Sequence, residues 1–163
     1  MCKEASVTKI YLFDWGDTLM VDFPDQKGKM CDWLKVEAID GAVKALRDLS
    51  KSADIYVATN AADSSENEIK TAFKRVGLDT FISGYFCKAN LGVSKDSVEF
   101  FPKILNYLGV DAHEVTMVGD SLERDVLPAK ALGLNVIWFN PSAGSSTSIQ
   151  DVCSVKNLSE IST

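Results

Sequence analysis

The sequence is short of the residues that several common kinds of site require. It contains one histidine, His113, which falls in a predicted loop before a strand, so no histidine-based nucleophilic triad is available. The four cysteines, Cys2, Cys31, Cys87 and Cys153, lie far apart and form no CxxC pair. This spacing does not suit a zinc site, and we expect the thiols to be reduced and mostly structural.

Long apolar runs and clustered positive charge are also missing. No segment approaches the roughly 20 apolar residues that a membrane span needs, and the first ten residues contain no apolar stretch of signal-peptide length. We therefore expect a cytoplasmic protein with no membrane partner. The net charge is −6 and the basic residues are scattered, which argues against a nucleic-acid partner because a polyanion would be repelled.

Short apolar runs alternate with helical patterns along the whole chain. The 163 residues, 46% of them hydrophobic, suffice for one domain with a real core, and we expect a single domain over residues 1–163. Five buried strands are predicted, at residues 10–13, 55–58, 81–86, 115–118 and 136–139. Strands that alternate with helices predict an α/β fold, with a mainly parallel sheet of about five strands covered on both faces.

Apolar residues spaced three or four apart predict the helices. The predicted helical segments are residues 36–49, with a fresh start at Asp40-Gly41 as an alternative, 65–76, 96–108 and 126–132. Ser65 and Glu68 form a capping-box pair at the start of the second segment. Pro102 is awkward in the third, because a proline in a helix interior costs about 3 kcal/mol. Residues 141–163 are predicted to form a loop and a tail with a short strand and a helical turn.

Polar side chains follow three of the predicted strands. The first strand ends at Asp14, the second at Thr59 and Asn60, and the fourth at Asp120. Because ligands bind at the carboxyl ends of strands in such sheets, we expect these side chains to share one edge with Lys95. Carboxylates without histidine or cysteine suit Mg²⁺, and a lysine and a hydroxyl beside such an ion neutralise a phosphoryl group. A carboxylate held in line with phosphorus can act as the nucleophile.

The order and spacing of these residues resemble the four motifs of the haloacid dehalogenase (HAD) superfamily of phosphohydrolases. FDWGDTL resembles the first motif, YVATN the second, Lys95 in GVSKDSVEFF the third and MVGDSLERDV the fourth. The resemblance covers the chain from about Ile10 to Asn140. It implies a three-layer, Rossmann-like fold and a Mg²⁺-dependent phosphomonoester phosphatase that acts through an aspartyl-phosphate.

The resemblance also implies a role for each matching residue. Asp14 would be the nucleophile and a magnesium ligand, and Gly16 would offer its backbone carbonyl to the metal. Thr59, with the neighbouring Asn60, would hold the phosphoryl oxygens. Lys95 would tie the phosphate to the nucleophile.

The fourth motif supplies two further carboxylates. Asp120 would bind Mg²⁺, and Asp125 would bind or orient the waters of the metal. An aspartate in a first helical turn also suits the helix dipole, which is the alternative interpretation of Asp125. Trp15 would either line the substrate pocket or pack in the core.

One position departs from the family pattern. Phosphatases of the family usually carry a second aspartate two residues after the nucleophile, where this chain has Gly16, and Asp17 stands where the family usually has glycine. Asp17 would then replace the missing acid/base, or the enzyme works without one on substrates with good leaving groups. A third interpretation is a catalytically weak phosphate- or metal-binding or regulatory protein. Loss of general acid–base help typically slows a reaction by about 10²–10⁴-fold.

Residues 20–39 stand where a cap domain would be inserted. They can form a loop and part of a helix but not a helical bundle, so we expect an open site without a substantial cap. Asp22 and Asp25 are loop residues that an open site could use. The substrate would be a phosphorylated small molecule or a larger phosphorylated partner, and the sequence does not predict the oligomeric state. A response-regulator receiver domain is disfavoured because its lysine comes last, whereas Lys95 precedes Asp120.

Overall fold

A parallel sheet forms the centre of the protein. The computed structural model describes residues 8–144 and 148–162. The strands are β1 (Ile10–Phe13), β2 (Asp54–Ala58), β3 (Gly84–Phe86), β4 (Val115–Gly119), β5 (Asn135–Phe139) and β6 (Cys153–Val155). They pair in the order β3-β2-β1-β4-β5-β6, and every neighbouring pair is parallel. The sixth strand is the short strand predicted for the tail, so the sheet is one strand wider than expected.

Helices cover both faces of this sheet. The α-helices of the described residues are α1 (Ala42–Leu49), α2 (Glu66–Arg75), α3 (Lys88–Leu91), α4 (Phe100–Leu108) and α5 (Leu127–Ala131). Tyr11 and Phe13 of β1 pack in one core with α1 and α2, whereas Ile10 and Leu12 pack in a second core with α4 and α5. Because side chains alternate across a strand, a strand with both sets buried must lie between two helical layers. The predicted three-layer α/β fold is confirmed.

The register of the central strands fixes where the functional edge lies. Phe13, the last residue of β1, pairs with Val57 of β2 on one side and with Val118 of β4 on the other. The backbone N–H of Asp14 continues this ladder and donates to the carbonyl of Val118 at 3.0 Å. Residues that follow these three strands therefore meet at one edge of the sheet.

The first helix is shorter than predicted. Residues 36–39 are extended, because the N–H of Val21 donates to Glu37 O at 2.9 Å and that of Ile39 donates to Leu19 O at 2.8 Å. Gly41, with a φ of 85°, turns the chain into α1. The prediction of a continuous helix from Val36 is wrong because long-range backbone pairing takes the hydrogen bonds of this segment, and the alternative start at Gly41 is the correct one.

Two other elements begin later than their patterns predict. The segment Asp79–Phe81 forms a 3₁₀ turn, which leaves only Gly84–Phe86 for β3. Helix α4 begins at Phe100, so Pro102 lies in the first turn, where no intrahelical N–H bond is required. Val98 falls within the predicted helical segment 96–108 but precedes α4, and it is 91% exposed.

The segment 20–39 contains a single 3₁₀ turn, Met30–Asp32, and no α-helix. The expectation for the N-terminus concerns the first ten residues, of which residues 1–7 lie outside the described part of the chain. Residues 145–147 and 163 of the predicted C-terminal loop and tail also lie outside it. Over the described ranges, no helix combines the length and apolarity that crossing a membrane requires.

The cysteines do not all match the expectation of reduced thiols. Cys31 and Cys87 are free, and Cys87 is buried. Cys153 is disulfide-bonded, so the expectation is wrong for that residue. Cys2 lies outside the described residues.

Candidate active site

Two carboxylates, Asp14 and Asp120, follow β1 and β4 and lie close to the hydroxyl group of Thr18. Thr18 is fully buried, and its Oγ1 accepts the backbone N–H of Asp120 at 3.1 Å. The same oxygen lies 3.1 Å from Asp120 Oδ1 and 3.4 Å from Asp14 Oδ2. The hydroxyl has one hydrogen to donate, and the shorter distance favours Asp120. Thr18, in the turn after β1, therefore holds Asp120, the residue that follows β4, close to Asp14.

Lys95 is a buried cation between two carboxylates. Its Nζ lies 2.8 Å from Asp14 Oδ1 and 2.8 Å from Asp125 Oδ1, and its side chain is 1% exposed. Burial acts to lower the pKa of Lys95, but the charges of Asp14 and Asp125 outweigh burial and raise it above the ordinary value. Lys95 therefore remains an ammonium ion at neutral pH and can serve as a fixed positive charge.

Asn60 holds the backbone of Lys95. The N–H of Lys95 donates to Asn60 Oδ1 at 2.9 Å, and Asn60 Nδ2 donates to Asp96 Oδ2 at 3.4 Å. Neighbouring Thr59 is 4% exposed, and its Oγ1 accepts the N–H of Ala61 at 3.1 Å. A phosphate contact by Asn60 or Thr59 stays a prediction, whereas the observed contacts of Asn60 place Lys95.

Asp125 is the most deeply buried carboxylate at this edge. Its side chain is 1% exposed, and its Oδ2 accepts the backbone N–H of Ser121 at 3.1 Å. It lies on a single π-helical turn, Leu122–Val126, and presses against Gly119. A Cβ at position 119 would lie 2.2 Å from Asp125 Oδ2, so the last residue of β4 must be glycine for Asp125 to reach Lys95.

The carboxylates of this cluster suit a divalent cation. Asp14, Asp120 and Asp125 can each offer an oxygen, and the three oxygens lie within 4.8 Å of one another. Burial raises the pKa of Asp120 to about 7, and both the hydrogen bond with Asp14 and the negative charge of Asp14 add to this effect. One buried lysine against three carboxylates leaves an excess of negative charge. A hard cation with oxygen ligands would balance this excess, so the residues present fit Mg²⁺.

Trp15 belongs to the core. It is 5% exposed, its ring centroid lies 5.9 Å from that of Phe73, and its Nε1 donates to Met20 Sδ at 3.2 Å. These contacts match the packing alternative. A substrate contact by Trp15 stays a prediction.

Asp17 and Asp22 are linked across the turn that follows β1. Asp17 has a φ of 59°, and its Oδ1 accepts the backbone N–H of Asp22 at 3.0 Å. Partial burial, then the charges of Asp17 and Asp14, raise the pKa of Asp22 above the ordinary value. An acid/base role for Asp17 and a metal contact by the carbonyl of Gly16 stay predictions.

An open cavity of about 340 Å³ joins these residues. Its lining includes the candidate site residues together with Asp22, Lys29 and Trp33 of the segment 20–39, and Arg124. The sequence did not indicate that Lys29, Trp33 and Arg124 line this cavity. No local pattern shows which side chains the path of the chain brings next to a site. Sequence reasoning also gave no role to Thr18, although the four-residue step from Asp14 was a usable signal.

The comparisons with known proteins agree with this architecture. A family model for haloacid dehalogenase-like hydrolases matches residues 16–133. The chain therefore belongs to the haloacid dehalogenase-like hydrolase family, as the four motifs predicted.

Two curated relatives illustrate the sequence similarity. The Bacillus subtilis protein YfnB is 29% identical over 109 residues, which cover 64% of this chain and 44% of YfnB. The glyceraldehyde 3-phosphate phosphatase of Pyrococcus abyssi is 37% identical over 65 residues, which cover 40% of this chain and 27% of that enzyme. In these sequence matches the chain thus spans less than half the length of each relative.

Two solved structures share the fold. An uncharacterized protein from Listeria monocytogenes serotype 4b superposes with a TM-score of 0.80 at 20% identity, over 94% of each chain. A crystal structure of YfnB bound to magnesium superposes with a TM-score of 0.74 at 16% identity, over 95% of this chain and 97% of that one. At these identities the likeness shows a common HAD-like fold.

The contact between Gly119 and Asp125 generates a stability prediction. The substitution Gly119→Ala places a methyl group against the Asp125 carboxylate, so we expect the free energy of unfolding to fall by about 1–3 kcal/mol. Urea denaturation measures this change.

Gly144→Ala is the matched control, because a Cβ at Gly144 meets nothing within 4 Å. Its free energy of unfolding should stay within about 0.5 kcal/mol of the wild-type value. Equal stabilities for the two variants would contradict the tight approach of Asp125 to β4.

Proposed function

We propose that this chain is a Mg²⁺-dependent phosphomonoester phosphatase with Asp14 as its nucleophile. The observation that carries the proposal is the ammonium group of Lys95, buried between Asp14 and Asp125, with Asp120 beside them in an open cavity. Fixed positive charge next to a nucleophilic carboxylate suits the stabilisation of a phosphoryl group. Membership of the hydrolase family, and a relative named as a glyceraldehyde 3-phosphate phosphatase, support it.

Mg²⁺ would be held by Asp14, Asp120 and the backbone carbonyl of Gly16, with Asp125 orienting its waters. When bound, the ion neutralises charge on the phosphoryl oxygens and allows an anionic substrate to approach the carboxylates.

The side chains of the protein perform the remaining steps. Asp14 attacks phosphorus, the bond to the leaving oxygen breaks, and an aspartyl-phosphate forms; water then attacks phosphorus and restores the carboxylate. Lys95 holds Asp14 in place and balances the charge of the transferring group. The Thr59 hydroxyl donates a hydrogen bond to a phosphoryl oxygen, while Asn60 keeps Lys95 in position.

The open cavity suits a phosphorylated small molecule and also admits a larger phosphorylated partner. A cytoplasmic location and the absence of a nucleic-acid or membrane partner stay predictions from the sequence. A catalytically weak phosphate- or metal-binding or regulatory protein is the second candidate, and the observation that favours it is the lack of a side chain at Gly16.

The hydrolysis of para-nitrophenyl phosphate with Mg²⁺ and with EDTA tests the proposed activity. We expect turnover only with the metal, and Asp14→Asn should lower kcat by on the order of 10³-fold or more, because the nucleophile is lost. Asp25→Asn is the matched control and should retain wild-type rates, because Asp25 is exposed and does not line the cavity. If no phosphoester is hydrolysed in a metal-dependent manner, the second candidate is favoured.

Thermal unfolding with increasing Mg²⁺ tests the metal site without an assay of activity. A ligand at 100 times its dissociation constant stabilises the folded state by about 2.7 kcal/mol, so Tm should rise with the metal concentration. Asp120→Asn should lose most of this rise and Asp25→Asn should keep it. Identical rises in the wild type and Asp120→Asn would place Mg²⁺ binding elsewhere.

A further inference from the structure

We propose that Asp22 supplies the carboxyl group that is missing at Gly16 and acts as the general acid and base of the reaction. The inference rests on the proposed phosphatase function and names the residue that completes its site. It assigns a catalytic role to the segment 20–39, which otherwise serves as the connection between β1 and α1.

The carboxyl group of Asp22 lies next to the place where a side chain at position 16 would begin. A Cβ placed on Gly16 would be 3.5 Å from Asp22 Cβ and 3.6 Å from Asp22 Oδ2. A carboxyl group from six residues further along the chain therefore borders the space beside Gly16. Asp22 lines the same cavity as Asp14 and Lys95, in which the phosphoryl group would react.

The turn after β1 holds Asp22 in this place. Gly16 bridges to Met20, and the N–H of Asp17 donates to Met20 O at 2.7 Å, which reverses the chain. The Asp17 carboxylate then accepts the N–H of Asp22 at 3.0 Å. Asp17 is therefore the positioning residue of this turn, and Asp22 is the residue with a carboxyl group directed at the gap.

Asp22 borders both the cavity and solvent. The residue is exposed on its other side, so its side chain contributes little to the core and can be substituted without unfolding the protein.

Asp22 moves one proton in each half of the reaction. While Asp14 attacks phosphorus, the bond to the leaving oxygen breaks, and this oxygen keeps the electron pair and takes the proton of Asp22. The Asp22 carboxylate then accepts a proton from water as the water oxygen attacks the aspartyl-phosphate. The bond between phosphorus and Asp14 breaks, inorganic phosphate leaves, and both carboxyl groups return to their starting states.

Two substrates with different leaving groups separate the role of Asp22 from that of the nucleophile. Propyl phosphate needs a proton on its leaving alkoxide, whereas para-nitrophenolate leaves without one. Because kcat/KM reports only the steps up to phosphoryl transfer, Asp22→Asn should lower it by about 10²–10⁴-fold for propyl phosphate and by less than about tenfold for para-nitrophenyl phosphate. Asp25→Asn should change neither value.

The second half of the reaction gives an independent readout. With para-nitrophenyl phosphate, Asp22→Asn should release about one equivalent of para-nitrophenol in a rapid burst, because the aspartyl-phosphate forms but its hydrolysis lacks a base. A merely structural effect of the substitution would slow both halves and give no burst.

Restoring a carboxyl group at position 16 completes the test. The site has ordinary room for a Cβ at Gly16, so Gly16→Asp added to Asp22→Asn should recover most of the rate on propyl phosphate. Equal losses of kcat/KM on the two substrates, or no loss at all, would overturn the role of Asp22 while leaving the phosphatase function intact. Wild-type protein that hydrolyses neither substrate with Mg²⁺ would overturn the function itself.

Discussion

The buried contact of Lys95 with Asp14 and Asp125 is the interaction on which the rest of the site depends. Both N–O distances are 2.8 Å, and the side chains of Lys95 and Asp125 are 1% exposed. Removing one partner of such a buried pair leaves an uncompensated charge and typically costs about 3–5 kcal/mol. We relate this stability cost to function, because the ammonium group that offsets the carboxylates is also placed to contact an incoming phosphoryl group.

The backbone around this contact is arranged to bring its members from distant parts of the chain. The strand order sets β1 between β2 and β4, so the residues after these strands converge. Gly119 leaves room for Asp125, Asn60 fixes the backbone of Lys95, and Thr18 ties Asp120 to the turn after Asp14. The turn then returns Asp22 to the space beside Gly16, so one short segment places both the nucleophile and its proposed proton donor.

Sequence patterns predicted the parts of this architecture that depend on local burial. Each strand end that carried Asp14, Thr59 or Asp120 was identified, because a buried run followed by a polar residue is visible in the sequence. The helix predicted from Val36 was wrong, because pairing with residues 19–21 is a long-range contact that periodicity cannot show. For the same reason the sequence offered Asp17 as a substitute acid in only one of three open interpretations, and it did not reveal how close Asp22 lies to Gly16.

A crystal structure of the wild-type protein with Mg²⁺ and beryllium trifluoride, which mimics a phosphoryl group on a carboxylate, tests the central claim most directly. The account predicts beryllium trifluoride bonded to Asp14 and within hydrogen-bond distance of Lys95 Nζ, with a metal ion contacted by oxygens of Asp14 and Asp120. Beryllium trifluoride on another carboxylate, or metal ions bound only away from Asp120, would contradict it.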